Sequence, residues 1–142
     1  MPRRARYVRT ILCELQRSAS RCLWSGTHAM DIGAMTVFLY AFRERELILD
    51  LFESLVGARL LYGFYQVGGV RYDLPPEWAA KCRETVDLID RRIDEYQRML
   101  EENPFFLVRT QGVGVVSRDL AQEVGIGGPL LRGSGVAWDI RR

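Results

Sequence analysis

Asp31 is the residue whose surroundings point most directly to chemistry. Its neighbours in the sequence are apolar, and they are Ala29, Met30, Ile32, Ala34 and Met35. A carboxylate in the apolar middle of a helical segment must find a partner or take up a proton. His28, three residues earlier on the same helical face, is one candidate partner, which would make the pair structural. The alternative is a proton-handling acid whose partner comes from outside this stretch.

Other residue patterns exclude several kinds of site. Gly133-Ser134-Gly135 lacks the spacing of a nucleophile elbow, and no histidine follows position 28, so serine-hydrolase chemistry is excluded. The glycines of 112–114 and 125–128 complete neither a dinucleotide-binding nor a phosphate-binding loop, and we interpret them as turn glycines. The single histidine and the three cysteines Cys13, Cys22 and Cys82 have no zinc or iron–sulfur spacing. We therefore expect this chain to bind no metal.

Composition indicates a globular domain or part of one. The 142 residues are 48% hydrophobic and 27% charged, with a formal net charge of +2, which argues against disorder and against a dedicated nucleic-acid binder. No apolar run reaches the ~20 residues of a membrane-spanning helix. Three cysteines without a CxxC pair favour a reducing compartment.

The arginine-rich opening mimics a transit peptide, but its apolar residues recur at helical spacing, so we interpret it as an ordinary amphipathic helix.

The pattern of apolar residues predicts mostly helix. We expect one helix from Arg3 to Trp24, broken by Ser25-Gly26, a second that Ser25 or Thr27 caps and that runs through Met30 to about Phe42, and a third over 43–59. The charged run 43–46 would be the solvated start of that third helix. A glycine-rich loop over 62–76, with a possible short strand and with Arg71 and Asp73 fixing its geometry, leads into a fourth helix. The fourth helix carries an apolar seam formed by Val86, Ile89, Ile93, Tyr96 and Leu100.

The sequence after the fourth predicted helix predicts short elements. We expect a small strand at 112–116, a helix capped by Ser117, and an edge strand at Val136–Ile140. The fold class predicted from these patterns is mainly α with minor β elements.

Several stretches resemble one family, in its order and at its spacings. They are LWSGTHAMDIGAMTVFLYAFRERELILDLFESLVGAR, VGGVRYDLPPEW, IDEYQRMLEENPFF, RTQGVGVVS and GPLLRGSGVAWDIRR. They resemble the hydrogenase-derived large subunit of respiratory complex I, which is the D subunit of bacterial NADH–quinone oxidoreductase. The resemblance implies that residues 1–142 form a single partial domain, the helical core of a nickel–iron-hydrogenase large-subunit-like fold. The family's N-terminal sheet and C-terminal part would lie outside it.

The resemblance also implies a role. In this family the subunit helps form the quinone chamber beside a terminal iron–sulfur cluster held by a partner subunit, and couples electron transfer to proton translocation. Asp31 matches the family aspartate that hydrogen-bonds the quinone-site histidine, so it would help deliver a proton to reduced quinone. That histidine and the quinone-site tyrosine precede the matched region, so no quinone-binding residue is assigned. We expect this chain alone to hold no cofactor or metal and to be inactive, with quinone as the substrate of the assembled complex.

The expected partners and location follow from the same resemblance. They are the terminal-cluster iron–sulfur subunit, the C subunit, the membrane-arm H subunit at the quinone entrance, and quinone, with no nucleic acid. The location would be the peripheral arm at the cytoplasmic face of the bacterial inner membrane, without a transmembrane segment. Departures from the family pattern occur at Arg21, Val37, Leu61, Gly63 and Gln66. The Gln66 departure removes an arginine charge from a region near the cluster.

A second hypothesis belongs to a different class of protein. A stand-alone helical interaction module without redox activity would use the seam of the fourth helix as its partner-binding face. A nucleic-acid binder is a more distant alternative, because acidic residues are interleaved with the arginines and no stacking platform is present.

Overall fold

The computed structural model describes residues 1–140, which form two compact units. The first unit runs from Met1 to Leu107 and the second begins at Val108. Arg141 and Arg142, which end the last matched stretch of sequence, lie outside the described residues. The prediction that 1–142 form a single partial domain stays a prediction.

Three long helices and a small hairpin build the first unit, and a short helix follows them. They are α1 (Arg3–Asp31), α2 (Met35–Val56), β1 (Tyr65–Gln66), β2 (Gly69–Val70), α3 (Trp78–Glu101) and α4 (Pro104–Thr110). The two strands pair antiparallel, with Tyr65 opposite Val70. The strand expected within the loop is therefore present as a two-stranded hairpin.

The predicted helix break at Ser25-Gly26 is wrong. α1 continues through Gly26, which is buried because α2 passes close to it. A Cβ atom built on Gly26 would lie 3.3 Å from the Cα of Phe38 and 3.3 Å from the Cβ of Ala41. This glycine therefore permits a close approach of two helices and does not end one. The chain turns at Gly33, so the start of the predicted second helix belongs to α1, and the rest of it is continuous with the predicted third helix as α2.

The core of the first unit lies between α1 and α2 and is closed by the loop and by α3. Its members are Val8, Leu12, Leu15, Ala19, Ile48, Leu51, Phe52, Leu55, Phe64, Trp78 and Cys82. The Trp78 indole Nε1 donates a hydrogen bond to the Leu51 carbonyl at 3.0 Å. This bond satisfies the one polar atom of a buried indole and fixes the start of α3 against the middle of α2.

α3 packs through a face that is rotated from the predicted seam. Its inward residues recur at steps of four and three, and they are Trp78, Cys82, Thr85, Ile89, Arg92 and Tyr96. Val86 and Ile93 of the predicted seam remain 46% and 49% exposed. The packing face is rotated because Arg92, which lies outside the predicted seam, faces a buried acid on α2.

The second unit is built around two short helices. α5 (Arg118–Glu123) begins at Ser117, whose hydroxyl accepts a hydrogen bond from the Leu120 N–H as predicted, and α6 is Gly128–Gly133. The strands predicted at 112–116 and 136–140 are not present among the described residues. Gly112 and Gly114 have φ values of +74° and +64°, which interrupt an extended run.

The segment after α6 also forms no strand among the described residues. The Val136 N–H donates to the Leu131 carbonyl and so closes the end of α6 instead of pairing with another strand. The buried residues of this unit are Ala121, Leu131 and Val136. The prediction of a mainly α fold with minor β elements is confirmed.

Candidate functional site

Asp31 is the last residue of α1, and its side chain is exposed. The helix ends there because Gly33 adopts a φ of +98°. The Gly33 N–H donates to the Met30 carbonyl at 2.9 Å, and the Ala34 N–H donates to the Ala29 carbonyl at 2.8 Å. These two bonds are those of a Schellman cap, which needs a glycine in the left-handed region. The expectation of an apolar helix interior around Asp31 is therefore wrong, because the chain turns within two residues of it.

The structure does not form a His28–Asp31 pair. The His28 ring stacks on Trp24, with ring centroids 5.6 Å apart and planes within 5° of parallel. Within residues 1–140, no side chain hydrogen-bonds or ion-pairs with the Asp31 carboxylate. An acid fixed at a helix end and exposed in this way can accept a hydrogen bond from a group supplied by another chain or segment.

A second acid, Glu44 of α2, is fully buried and lies within a polar cluster. Arg92 of α3 donates to Glu44 Oε1, and Arg43 Nε donates to the same oxygen at 3.0 Å. The Tyr96 hydroxyl lies within hydrogen-bond distance of Glu44 Oε2 and 3.1 Å from the Tyr40 carbonyl. Since a phenol has one proton, Tyr96 donates to one of these two acceptors at a time. We call Arg43, Glu44, Arg92 and Tyr96 the Glu44 cluster.

The cluster keeps its acid ionised. Burial alone would raise the pKa of Glu44, but the hydrogen bonds from Arg92, Tyr96 and Arg43 outweigh burial and lower it. Burial and the neighbouring carboxylate raise the pKa of Tyr96, so that phenol stays protonated. At neutral pH the cluster is therefore an ion pair with a neutral phenol donor. It joins α2 to α3 and does not act as a proton relay.

The sequence patterns do not predict that Glu44 is buried, because they place residues 43–46 at the solvated start of a helix. Because α2 begins at Met35, this run lies in the third turn of the helix, and one of its residues must face inward. Apolar residues at positions 37, 41, 48, 51 and 55 form the inward stripe, and position 44 continues that spacing. An acid within an apolar stripe is the pattern that could have identified it.

Two arginines of α1 hold the hairpin and the loop after it. Arg9 Nη1 donates to the carbonyls of Gln66 and Gly69 at 3.1 and 3.0 Å. Arg4 Nε donates to both oxygens of Asp73 at 2.8 and 3.0 Å, and this bond together with the Leu74 N–H lowers the pKa of Asp73. Asp73 is thus fixed by α1, whereas Arg71, its predicted partner, lies over the Tyr72 ring.

The departures from the family pattern fall in different environments. Arg21 is exposed on α1, and Val37 is buried in the first turn of α2. Leu61 is 95% exposed and has a φ of +60°, the one positive value at a described residue other than glycine. A Cβ atom on Gly63 would meet no atom within 4 Å, and Gln66 lies in β1.

The cysteines form no disulfide among residues 1–140, and these residues hold no group of three or more histidine, cysteine, aspartate or glutamate side chains that could bind a metal ion. Burial raises the pKa of Cys22 and Cys82.

No helix in the described part of the chain has the length and hydropathy to cross a membrane. One groove has a volume of about 540 Å³, and it lies on the outer face of α1 between Cys13 and Trp24.

The fold matches a subunit of a respiratory membrane complex. A solved structure described as the membrane-bound sulfane sulfur reductase, an archaeal respiratory membrane complex, aligns with a TM-score of 0.92 and 34% sequence identity. The alignment covers 99% of this chain and 38% of that one.

Sequence comparisons identify the family. The H subunit of the chloroplastic NAD(P)H-quinone oxidoreductase from Staurastrum punctulatum is 49% identical over the whole chain, which covers 36% of that protein. The first of the D subunits of NADH-quinone oxidoreductase from Roseiflexus castenholzii is also 49% identical, and 34% of its length is covered. The profile of the family described as respiratory-chain NADH dehydrogenase, 49 Kd subunit, matches residues 31–142. The chain belongs to this family, and it spans about a third of the length of the curated relatives it matches.

Proposed function

We propose that this chain is part of the quinone-reducing subunit of a respiratory NADH–quinone oxidoreductase. Its helices would support a quinone chamber beside an iron–sulfur cluster held by a partner subunit, in the peripheral arm at the cytoplasmic face of the membrane. Family membership over residues 31–142 supports the assignment, as does 49% identity to two quinone oxidoreductase subunits. The proposed partners are the cluster-bearing subunit, the C subunit and the membrane-arm H subunit.

The proposal assigns a role to one residue, Asp31, because of the position and the exposure of its carboxylate. Its backbone is fixed by the cap at Gly33, and its carboxylate is exposed without a partner in residues 1–140. A carboxylate that hydrogen-bonds an imidazole orients the ring and stabilises its protonated form. Asp31 would act in this way on a quinone-site histidine that this sequence does not contain. It is therefore proposed as a positioning residue for proton delivery to reduced quinone.

The test compares two electron acceptors in an assembled complex that contains this chain. Asp31→Asn keeps the size of the side chain but removes the charge that supports a protonated histidine. NADH–quinone reduction should fall at least about tenfold, since a positioned proton-transfer group contributes about 10²–10⁴-fold. NADH oxidation by an artificial acceptor that takes electrons before quinone should stay unchanged. Asp31→Glu should recover part of the quinone activity.

Asp90→Asn is the matched control, because Asp90 is an exposed carboxylate of α3 outside the proposed site. It should leave both activities at the wild-type level. Equal loss of both activities on Asp31→Asn would show that Asp31 acts on folding or assembly. The isolated chain should not bind a ubiquinone or menaquinone analogue, and saturable binding that Asp31→Asn abolishes would contradict the claim that the quinone site is incomplete here.

The interaction-module hypothesis retains one supporting observation. Val86 and Ile93, two members of its proposed binding seam, are about half exposed on α3. Ile89 and Tyr96, however, face α2 and are used within the fold. The seam thus offers two apolar contacts where the hypothesis requires a continuous stripe, and the quinone-reducing role is the one that we favour.

A further inference from the structure

The charges of the chain are unevenly distributed, and α1 carries most of the excess positive charge. It contains six of the 20 basic residues but only two of the 18 acidic ones, Glu14 and Asp31. The rest of the chain therefore has more acidic than basic side chains. A concentration of one sign of charge on a single helix is a feature of a surface that meets the opposite sign.

Four of the six arginines face away from the protein. Arg4 and Arg9 hold Asp73 and the hairpin, as described above. The others are exposed along the side of α1 opposite its core residues, and we call them the basic stripe: Arg3, Arg6, Arg17 and Arg21. Their separations of 3, 11 and 4 residues keep them on one side of a helix with 3.6 residues per turn. From Arg3 to Arg21 the stripe extends roughly 27 Å at 1.5 Å per residue.

The guanidinium groups of the basic stripe make few hydrogen bonds and ion pairs within the chain. Arg17 pairs with Glu14 of its own helix, and Arg3 donates to the Tyr7 hydroxyl at 3.4 Å. The guanidinium groups of Arg6 and Arg21 have no hydrogen-bond or ion-pair partner among residues 1–140. An exposed pair within one helix contributes little to stability, about 0.3–0.5 kcal/mol, so all four charges can be engaged by a partner at small cost to this chain.

A groove and an aromatic pair lie at the end of the same stripe. The groove of about 540 Å³ is lined by Arg17, Arg21 and Trp24 together with Cys13, Gln16 and Ser20. Cys13 and Ser20 are seven residues apart, so they lie two turns apart on one side of the helix, with Gln16 between them. The short side chains of Cys13 and Ser20 leave room beside Gln16 for the side-chain ridge of a second helix. The Trp24 ring, 58% exposed, borders the depression, where it can serve as an aromatic anchor.

We propose that the basic stripe, with Trp24, docks an acidic helix of a partner protein. The partner would present carboxylates about four residues apart to Arg17 and Arg21 and an apolar side chain to Trp24. A lipid surface fits less well, because the apolar face of α1 is buried in its own core and Trp24 and few other apolar groups remain to enter a bilayer. A nucleic acid fits less well because one face of Trp24 already stacks on His28. The inference concerns binding and does not depend on the proposed redox function.

The test uses the full chain and a short synthetic helical peptide that carries glutamates at positions i, i+4 and i+7. A peptide with glutamine at those positions is the reference probe. We expect the acidic peptide to bind with an affinity that falls as salt increases, and the glutamine peptide not to bind. The double variant Arg17→Glu/Arg21→Glu should weaken binding at least about tenfold, because like charges then face each other. Trp24→Ala should weaken it by a smaller factor.

Arg83→Glu/Arg91→Glu is the matched control. Both residues are exposed on α3, and the change in net charge equals that of the stripe variant. It should leave the affinity within about twofold of wild type, since distant surface charges are screened. Arg21→Gln is the milder variant, and it should weaken binding if the double variant fails to fold. The proposal is overturned if the acidic peptide does not bind, if both double variants weaken binding equally, or if anionic phosphatidylglycerol vesicles or a single-stranded oligonucleotide bind at the stripe in preference to the peptide.

Discussion

Replacing Glu44 by glutamine tests the role of the buried acid in joining α2 to α3. The substitution keeps the shape of the side chain but removes its charge, so Arg92 loses its ionic partner and Arg43 keeps only its pair with Glu95. Breaking a fully buried pair costs about 3–5 kcal/mol. Here the side chains of Arg92 and Arg43 are 29% and 42% exposed, so water can solvate both after the change. We therefore expect the free energy of unfolding to fall by about 2–3 kcal/mol, at or just below the low end of that range.

The assay is urea unfolding followed by the helical circular-dichroism signal at neutral pH. Glu95→Gln is the control, because Glu95 lies 3.5 Å from the same Arg43 but is exposed at the surface. It should change the free energy of unfolding by about 0–1 kcal/mol. If Glu44→Gln and Glu95→Gln cost the same small amount, the Glu44 cluster does not hold the two helices together and the reasoning is refuted.

The pH dependence supplies a second check on Glu44. Its pKa in the folded chain lies below the ordinary value of 4.5, so the unfolded state binds the proton more readily. The stabilisation is therefore fully present above about pH 4.5 and is lost as the pH falls through the lowered folded pKa. The difference between wild type and Glu44→Gln should be constant near neutrality and decrease in acid. A difference that grows on acidification would contradict the assigned direction of the shift.

Three further predictions concern Gly26, Gly33 and the cysteines. Gly26→Ala should lower the free energy of unfolding by about 1–3 kcal/mol, because a Cβ atom there lies 3.3 Å from the backbone of α2, and denaturant unfolding measures it. Gly33→Ala should cost about 1–2 kcal/mol in the same assay through its φ of +98°, and stability equal to wild type would show that the cap at the end of α1 is not formed. Cys13, which is exposed, should react with a thiol-alkylating reagent faster than Cys22 and Cys82, whose pKa values are raised by burial, and mass spectrometry of the labelled peptides would show the reverse order if this burial is wrong.

The helical content of the fold follows from apolar spacing, but the helix boundaries do not. Gly26 and Gly33 are both glycines between helical stretches, and local sequence does not distinguish them. What separates them is tertiary, because α2 passes close to Gly26 while the chain reverses at Gly33. The same limit applies to 112–116, where β-branched residues predict a strand and the glycines between them adopt positive φ values.

The candidate site was predictable to a similar extent. The resemblance to the family implies a role for Asp31 and an external partner for it, and both stay predictions, whereas reasoning from its apolar neighbours places it wrongly inside a helix. Glu44 follows from the spacing of the α2 stripe, but its partners Arg92 and Tyr96 lie 48 and 52 residues away, and no local pattern predicts that pairing. The basic stripe is visible in the sequence, yet only the structure shows which arginines of α1 are already engaged.

The most direct test of the proposed role is the ratio of two rates in an assembled complex that contains this chain: NADH oxidation by quinone over NADH oxidation by an artificial acceptor. For Asp31→Asn we predict a ratio at least about tenfold below that of Asp90→Asn, because only the quinone step uses the proton that Asp31 is proposed to help deliver. An unchanged ratio, whether both rates are normal or both have fallen, would contradict the proposed role of Asp31 in quinone reduction.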